Sequence, residues 1–405
     1  MKLPLRCVSV LGVAVLALAT AACGSQDATG SAGSDGGKTG DYKILMITAN
    51  SGPFQIYGEQ TKNAMTVEAN YINAAGGING RKIVLDVVDD QGDPTKAVSL
   101  LQSKLSGGQK PDAVYAGTTS NEALALLPIL TRNKIFNIGV TGDGAINDPE
   151  KFPYTFRANS PYAAYTPLVA SAVKARGYQK VGVLYANDAL GGSSSAAVNK
   201  ALGAAGVKVV NATFDATSLD LSAPMSRLKS AGVDAVVFGA VAPATAAQVL
   251  EARAKAGATD IPFIADQATT ANLAKLVPAA DLKNVFSHNV NACLSQPSTP
   301  QSAQLTKFIA DLKKLGPING SLIASVFSAD ILKAVQVAAK QAGSTDAAEL
   351  QHALETMPQQ PAGTWVSFGD VAFSAESHFN TAAVAGDYSI STFGPIVDGQ
   401  VTPQK

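Results

Sequence analysis

"SGPFQIYGEQTKNAMTVEANYINAAGGINGRKIVLDVVDDQGDPTKAV" (Ser51–Val98) decides how the chain is to be read. From Tyr57 the residues keep helical spacing and stop at Gly76–Gly77. "KIVLDVVDD" (82–90) then reads as a short apolar strand. Asp93 before Pro94 is an N-cap followed by a proline at the first helical position, which opens the next helix. The order is helix, glycines, strand. A phosphate-binding loop needs the reverse, strand then glycines then helix. Asp86, Asp89, Asp90 and Asp93 lack the alternating spacing of a calcium loop. The stretch therefore joins elements of an α/β sheet and has no chemistry of its own.

The same alternation extends outward. "KILMITA" (43–49) is a strand before it, and "DPTKAVSLLQSKL" (93–105) a helix within and beyond it. "DAVYAG" (112–117) and "IFNIGV" (135–140) are strands around the helix "NEALALLPILTRN" (121–133). After "YTFRANS" (154–160) the pattern restarts with "KVGVLYAN" (180–187), "KVVNATFD" (208–215), "DAVVFGA" (234–240), "PFIADQ" (262–267) and "NVFSHNVN" (284–291). Helices are predicted between them; Leu221, Met225 and Leu228 fall on one helical stripe. Strands alternating with helices predict parallel sheets covered on both faces. Beyond 291 the chain reads as three helices, 301–316, 321–343 and 345–357, then two strand-like runs, 363–374 and 387–400. The fold class is α/β, with two Rossmann-like, doubly wound lobes.

The amino terminus is a targeting segment. Lys2 and Arg6 precede the apolar run "VSVLGVAVLALATAA" (Val8–Ala22). That run is shorter than the roughly 20 apolar residues of a bilayer span. Small residues ahead of Cys23 resemble a bacterial lipobox, which implies lipidation at Cys23 and an extracytoplasmic protein held to the cell membrane. Residues 24–41, "GSQDATGSAGSDGGKTGD", have a tether's composition.

Composition excludes other classes. The chain has 405 residues, 31 basic and 31 acidic, and lacks the basic footprint of a nucleic-acid binder. Removing residues 1–22 takes away Lys2 and Arg6 and leaves the mature chain slightly acidic. Of three cysteines, only Cys293 lies in the body, so no internal disulfide is expected there. With three histidines and no CxxC, no metal or cofactor is expected. Trp365 and Cys293 read as core residues. No GxSxG, HExxH or P-loop motif occurs.

The opening stretch, with its Gly-Pro turn, Tyr-Gly pair, "INAAGGINGRK" and "DDQGDPTKA", resembles the leucine/isoleucine/valine-binding group of type I periplasmic binding proteins. "YTFRANSP", "KVGVLYAND", "DAVVFGA" and "EARAKAGATDIPFIADQ" extend the resemblance from about Asp41 toward the carboxyl terminus. It implies two lobes joined by a hinge of several strands, a small solute in the cleft, delivery to the permease of an ABC importer, and no enzymatic role. The expected layout is signal peptide 1–22, tether 23–41, first lobe 42–160 plus 291–345, and second lobe 161–290 plus 346–405. A monomer is expected. A ligand-sensing receptor of the same fold, or less favourably a lipid-anchored enzyme, are the alternatives.

The resemblance also places the site. In the family, loops of the first lobe hold a ligand carboxylate with hydroxyls and backbone N–H groups. The matching residues are Tyr57, then Thr119, Ser120 and Asn121, then Thr141, Gly142 and Asp143; Gln267 is the match in the second lobe. Four positions depart from the amino-acid-binding pattern. Asp143 stands where Thr is frequent, Gln267 where an acid pairs with the ligand ammonium, and Leu190 and Val241 where aromatics are usual. Asp143 or Asp266 supplying that charge from another position, and a neutral or differently charged solute, are the two alternatives. Each candidate also has a plainer reading: Ser120 and Asn121 as helix caps, Tyr57 as an exposed first-turn residue, Asp143 as a turn former, Gln267 as a solvated residue.

Overall fold

Tyr42–Thr48 (β1) has six of its seven residues buried, as a strand covered on both faces requires. Ile44 and Met46 enter one apolar cluster while Leu45 and Ile47 enter another across the sheet. The computed structural model describes residues 39–215, 218, 220–266, 269, 271–295, 301–383 and 385–403; Cys23 and Gln267 lie outside them.

The first lobe continues through α1 (Gln55–Ala74), β2 (Ile83–Asp89), α2 (Pro94–Ser106), β3 (Ala113–Ala116), α3 (Ser120–Arg132), β4 (Phe136–Gly139) and β5 (Thr155–Arg157). Its strands are parallel in the order β2-β1-β3-β4-β5. The second lobe comprises α4 (Tyr162–Ala175), β6 (Lys180–Ala186), α5 (Ala189–Ala204), β7 (Lys208–Phe214), α6 (Ser222–Ser230), β8 (Ala235–Gly239), α7 (Pro243–Lys255), β9 (Phe263–Ala265), α8 (Leu273–Leu276) and β10 (Val285–Val290). The chain then runs through α9 (Ala303–Leu315), α10 (Ile323–Ala342) and α11 (Ala347–Glu355) before β11 (Tyr388–Thr392) joins the second sheet antiparallel to β10. That sheet is ordered β11-β10-β9-β8-β6-β7, so β6 to β10 repeat the arrangement of β1 to β5. In both, the sheet winds outward from a point beside its first strand, which leaves a crevice at the carboxyl ends there.

The opening stretch behaves as connecting structure. Gly76 and Gly77 have φ of 101° and 78°, and the Gly77 N–H closes the helix on the Ile72 carbonyl at 2.8 Å. A Cβ on Gly77 would lie 2.2 Å from the Arg81 carbonyl oxygen, so only glycine fits. The Asn73 amide then brackets Ile83, donating to its carbonyl at 3.0 Å and accepting from its N–H at 2.7 Å. Asp93 caps α2 by accepting from Thr95 and Lys96 N–H groups, with Pro94 behind it.

Residues 346–383 do not join the second lobe, as the expected boundary had it. α11 packs on α10, which itself packs on α1. Trp365, Val366 and Phe368 enter the first lobe's apolar cluster. The buried Asp330 carboxylate of α10 accepts from Val366 N–H at 2.8 Å, from Ser367 N–H at 2.9 Å and from the Ser367 hydroxyl. The His378 ring stacks on Phe156 of β5, centroids 3.9 Å apart. The chain returns to the second lobe only just ahead of β11. Nor is 363–374 a strand: it packs as a folded-back loop in which the Val366 and Ser367 N–H groups go to Asp330 and the Ala372 N–H goes to the Asn380 side chain. The terminal hairpin, β12 (Ile396–Val397) and β13 (Gln400–Val401), turns on Asp398 and Gly399, both at positive φ. Val401 bridges Leu294 and the Gln400 amide donates to the Ala292 carbonyl at 2.8 Å, tying the tail to the crossing segments.

Candidate binding cleft between the lobes

The crevices of the two sheets face each other and enclose a cavity of about 50 Å³. In the first lobe β3 ends at Gly117, at φ 76°, where a Cβ would lie 2.7 Å from the Glu122 side chain. That tight turn folds Thr118 and Thr119 under the first turn of α3. The Thr118 hydroxyl accepts from the Ala49 N–H at 2.7 Å and pairs with the Thr48 hydroxyl at 2.8 Å. The Thr119 N–H donates to the Glu122 carboxylate at 2.7 Å. Glu122 is fully buried and lies against Asp90, also fully buried. Burial and the neighbouring Glu122 push the Asp90 carboxyl up to about 8.

Five of the expected residues line the cavity together: Tyr57, Thr119, Ser120, Thr141 and Gly142. Gly142 is at contact distance, since a Cβ there would be 3.4 Å from both Leu190 Cδ1 and the Tyr162 hydroxyl. Two expected residues do not line it. Asn121, one residue into α3, points along the seam, where its Oδ1 accepts from the Ala189 N–H of the second lobe at 3.3 Å. The Asp143 carboxylate turns back to cap the short helix 144–146, accepting from Ala145 N–H at 2.6 Å. Burial, with Asp188 of the second lobe adding its charge, raises the Asp143 carboxyl above the usual carboxylate range. Beside it the Gly144 N–H donates to the Ser193 hydroxyl at 2.8 Å, a second bond between lobes. Gln267 lies outside the described residues.

Leu190 and Val241, where the family pattern favours aromatics, form the second-lobe side of the cavity. Other walls were not singled out: Asn159 and Ser160 come from the first crossing segment, Tyr162 and Tyr165 from α4, and Ile323 and Phe327 from α10. For Asn159, Ser160 and Tyr162 the one sequence signal is "ANSPY" after the "YTFR" strand; the other three carry none. Ser160 accepts from the Tyr388 hydroxyl at 2.7 Å. Asn159 Oδ1 and the Tyr165 hydroxyl are buried with no protein partner. Both residues line the cavity, where an entering polar group could satisfy them.

Two charged groups sit one layer back. Arg157 is fully buried at the end of β5. Its Nε donates to the Thr141 hydroxyl at 3.4 Å, its Nη1 to the Phe156 carbonyl at 2.9 Å, and its Nη2 has no partner. Burial lowers the guanidinium to about 10, which still leaves it charged at neutral pH. Asp266, in the second lobe, accepts from the Tyr185 hydroxyl at 2.9 Å and lies 3.7 Å from His288 Nδ1.

Residues 41–386 match the model of the periplasmic binding protein family. The Leu/Ile/Val-binding protein homolog 3 of Brucella melitensis is 29% identical over 203 residues, 49% of this chain and 54% of that protein. The leucine-, isoleucine-, valine-, threonine- and alanine-binding protein of Pseudomonas aeruginosa is 26% identical over 203 residues, 50% of this chain and 54% of that protein. The chain thus spans about half the length of the curated relatives it matches. Two solved structures share the fold. One is a branched-chain amino acid transporter substrate binding protein, LivJ, from Streptococcus pneumoniae in complex with isoleucine (TM-score 0.71, 20% identity, 89% of this chain and 97% of that one). The other is a solute binding protein of an ABC transporter from Rhodopseudomonas palustris in complex with 3,4-dihydroxybenzoic acid (TM-score 0.74, 20% identity, 89% and 95%).

Proposed function

Because the chain belongs to the periplasmic binding protein family, we propose that it is an extracytoplasmic solute receptor. It captures a small polar solute, a branched-chain or other amino acid or a related small organic molecule, and delivers it to the permease subunits of an ABC importer. The relatives named above are binding proteins, not enzymes. The observation that carries the reading is the interlobe cavity lined by Asn159 Oδ1 and the Tyr165 hydroxyl, both buried and unpartnered. The hydroxyls of Thr119, Ser120 and Thr141 surround the first turn of α3, where the helix dipole favours negative charge. Hinge closure would seal the solute between the lobes. Lipidation at Cys23 and the tether through 41 would keep the receptor, expected as a monomer, close to its permease.

A thermal-shift screen of the purified protein with amino acids, amides, carboxylates and sugars tests this. A solute at a hundred times its Kd adds about 2.7 kcal/mol to stability and raises the Tm. Silence across the whole panel sinks the receptor reading. Once a ligand is found, Tyr57→Ala combined with Ser120→Ala is expected to weaken it at least tenfold by calorimetry; wild-type affinity in that double variant would remove both residues from the site.

A further inference from the structure

We propose that this cleft selects small carboxylates that carry no ammonium group, such as 2-oxo acids or simple organic acids, over the corresponding amino acids. The proposal rests on the solute-receptor reading and narrows it.

The first lobe offers an anion three kinds of stabilisation. The amino end of the 13-residue helix α3 opens onto the cavity through Thr119 and Ser120. Hydroxyls of Ser120 and Thr141 stand beside it. Behind Thr141 lies the Arg157 guanidinium, wholly buried, bonded to a hydroxyl and a carbonyl but to no carboxylate, with Nη2 unpartnered. A buried cation without a counter-charge is costly. An anion in the cavity, one side chain away, supplies the missing charge.

The opposite wall offers a cation less, because its one acid a layer back, Asp266, is already engaged by the Tyr185 hydroxyl. Leu190 and Val241 present hydrocarbon, and Tyr162 and Tyr165 present aromatic rings with neutral hydroxyls. None of the described residues lining the cavity is acidic. The two nearby carboxylates are turned elsewhere, Asp143 to the Ala145 N–H and Asp266 to the Tyr185 hydroxyl. In the sequence, positions 267–270 are Gln, Ala, Thr and Thr, none of them ionisable. An ammonium group entering here would lose its hydration without gaining a carboxylate. The unpartnered Tyr165 hydroxyl and Asn159 Oδ1 suit a neutral polar substituent, such as a hydroxyl, on the solute.

Matched series test the charge requirement apart from size. Leucine, 4-methyl-2-oxopentanoate, 4-methylpentanoate and isoamylamine share one body; phenylalanine, phenylpyruvate and 3-phenylpropanoate share another; alanine, pyruvate and lactate a third. Titration calorimetry on the purified protein is expected to give at least one acid a Kd ten or more times lower than that of its amino acid, with isoamylamine silent. An amino acid that binds as tightly as its own acid overturns the proposal, as does binding of the amine. Silence of every acid beside a sugar or amide that binds also overturns it and leaves the receptor reading standing; silence of everything removes both. Val241→Asp places a carboxylate on the second-lobe wall. In that folded variant the ratio of amino-acid to acid affinity is expected to rise at least tenfold, and an unchanged ratio overturns the placement of the uncompensated wall.

Discussion

The two lobes wind their strands in the same order and differ where they meet. Each sends its first strand into a helix whose opening turn touches the strand's end: a Cβ on Gly58 would lie 2.0 Å from the Ala49 carbonyl oxygen, and one on Gly191 the same distance from that of Ala186. Around its third strand the resemblance stops. Thr118, Thr119, Ser120 and Glu122 of the first lobe correspond by position to Val241, Ala242, Pro243 and Thr245 of the second. One rim is hydroxyls, N–H groups and a buried carboxyl pair; the other is hydrocarbon with a proline that has no N–H to offer. A duplicated architecture has been specialised at its edge, with its packing glycines left alike.

Four measurements would break or sharpen that comparison. The largest effect is expected where the lobes are equivalent. Gly58→Ala and Gly191→Ala each force a methyl into a backbone carbonyl, and each should cost about 3 kcal/mol by urea denaturation. A near-neutral result for either would end the equivalence. The third-strand rims should then separate. Thr118→Val leaves the buried Ala49 N–H without its acceptor and should cost about 2 kcal/mol. Val241→Thr, at a partly exposed position, should stay within about 0.5 kcal/mol.

The carboxyl pair gives the first lobe a pH dependence that the second, with Thr245 in place of Glu122, lacks. The Asp90 carboxyl titrates at about 8 when folded and near 3.9 when unfolded. Below the lower value both states hold the proton. Between the two the native state holds a proton that the unfolded state has released, so this group's contribution falls as pH rises, by about 1 kcal/mol per pH unit, and levels off above 8. Asp90→Asn keeps a donor toward Glu122 and should flatten the urea midpoint between pH 5 and 8; an unchanged slope would exclude Asp90 as its source. The smallest effect belongs to the seam. Removing Asn121 and Ser193 side chains by alanine deletes one interlobe bond each, worth about 1 kcal/mol apiece. Ligand affinity should fall about fivefold per bond, with small-angle scattering of the free protein moving toward a larger radius of gyration.

How much of this was legible in the sequence depends on how local the cause is. The strands and helices follow from short apolar runs, the Asp93–Pro94 start and the Gly76–Gly77 stop, all written within a few residues. Tyr57, Ser120 and Thr141 could be found because the short stretches that carry them resemble the family's motifs. Tyr162, Tyr165, Ile323 and Phe327 could not: they reach the cavity because α4 and α10 are brought there by the chain's crossings, a long-range fact that their own spacing does not carry. The loop 363–374 misled for a related reason. Val366 and Phe368, then Val371 and Phe373, read as strand-like alternation, yet the Val366 and Ser367 N–H groups go to Asp330, more than thirty residues earlier in the chain. Asn121 and Asp143 sit in the right places, but Asn121 turns toward the seam and Asp143 back onto the Ala145 N–H, orientations that the sequence around them does not encode.

Cys293, at the second crossing, is the one cysteine among the described residues and is fully buried. Burial pushes its thiol up to about 12, the Ser321 side chain opposing only in part. Thiol reagents act on the thiolate, so this sulfur is chemically silent while the fold holds. Residues 39–403 are therefore a ready background for site-specific labelling. One cysteine added to the outer face of each lobe would accept a donor and an acceptor dye with no competing site in the body. The distance between the dyes would then report the opening of the cleft directly, solute by solute.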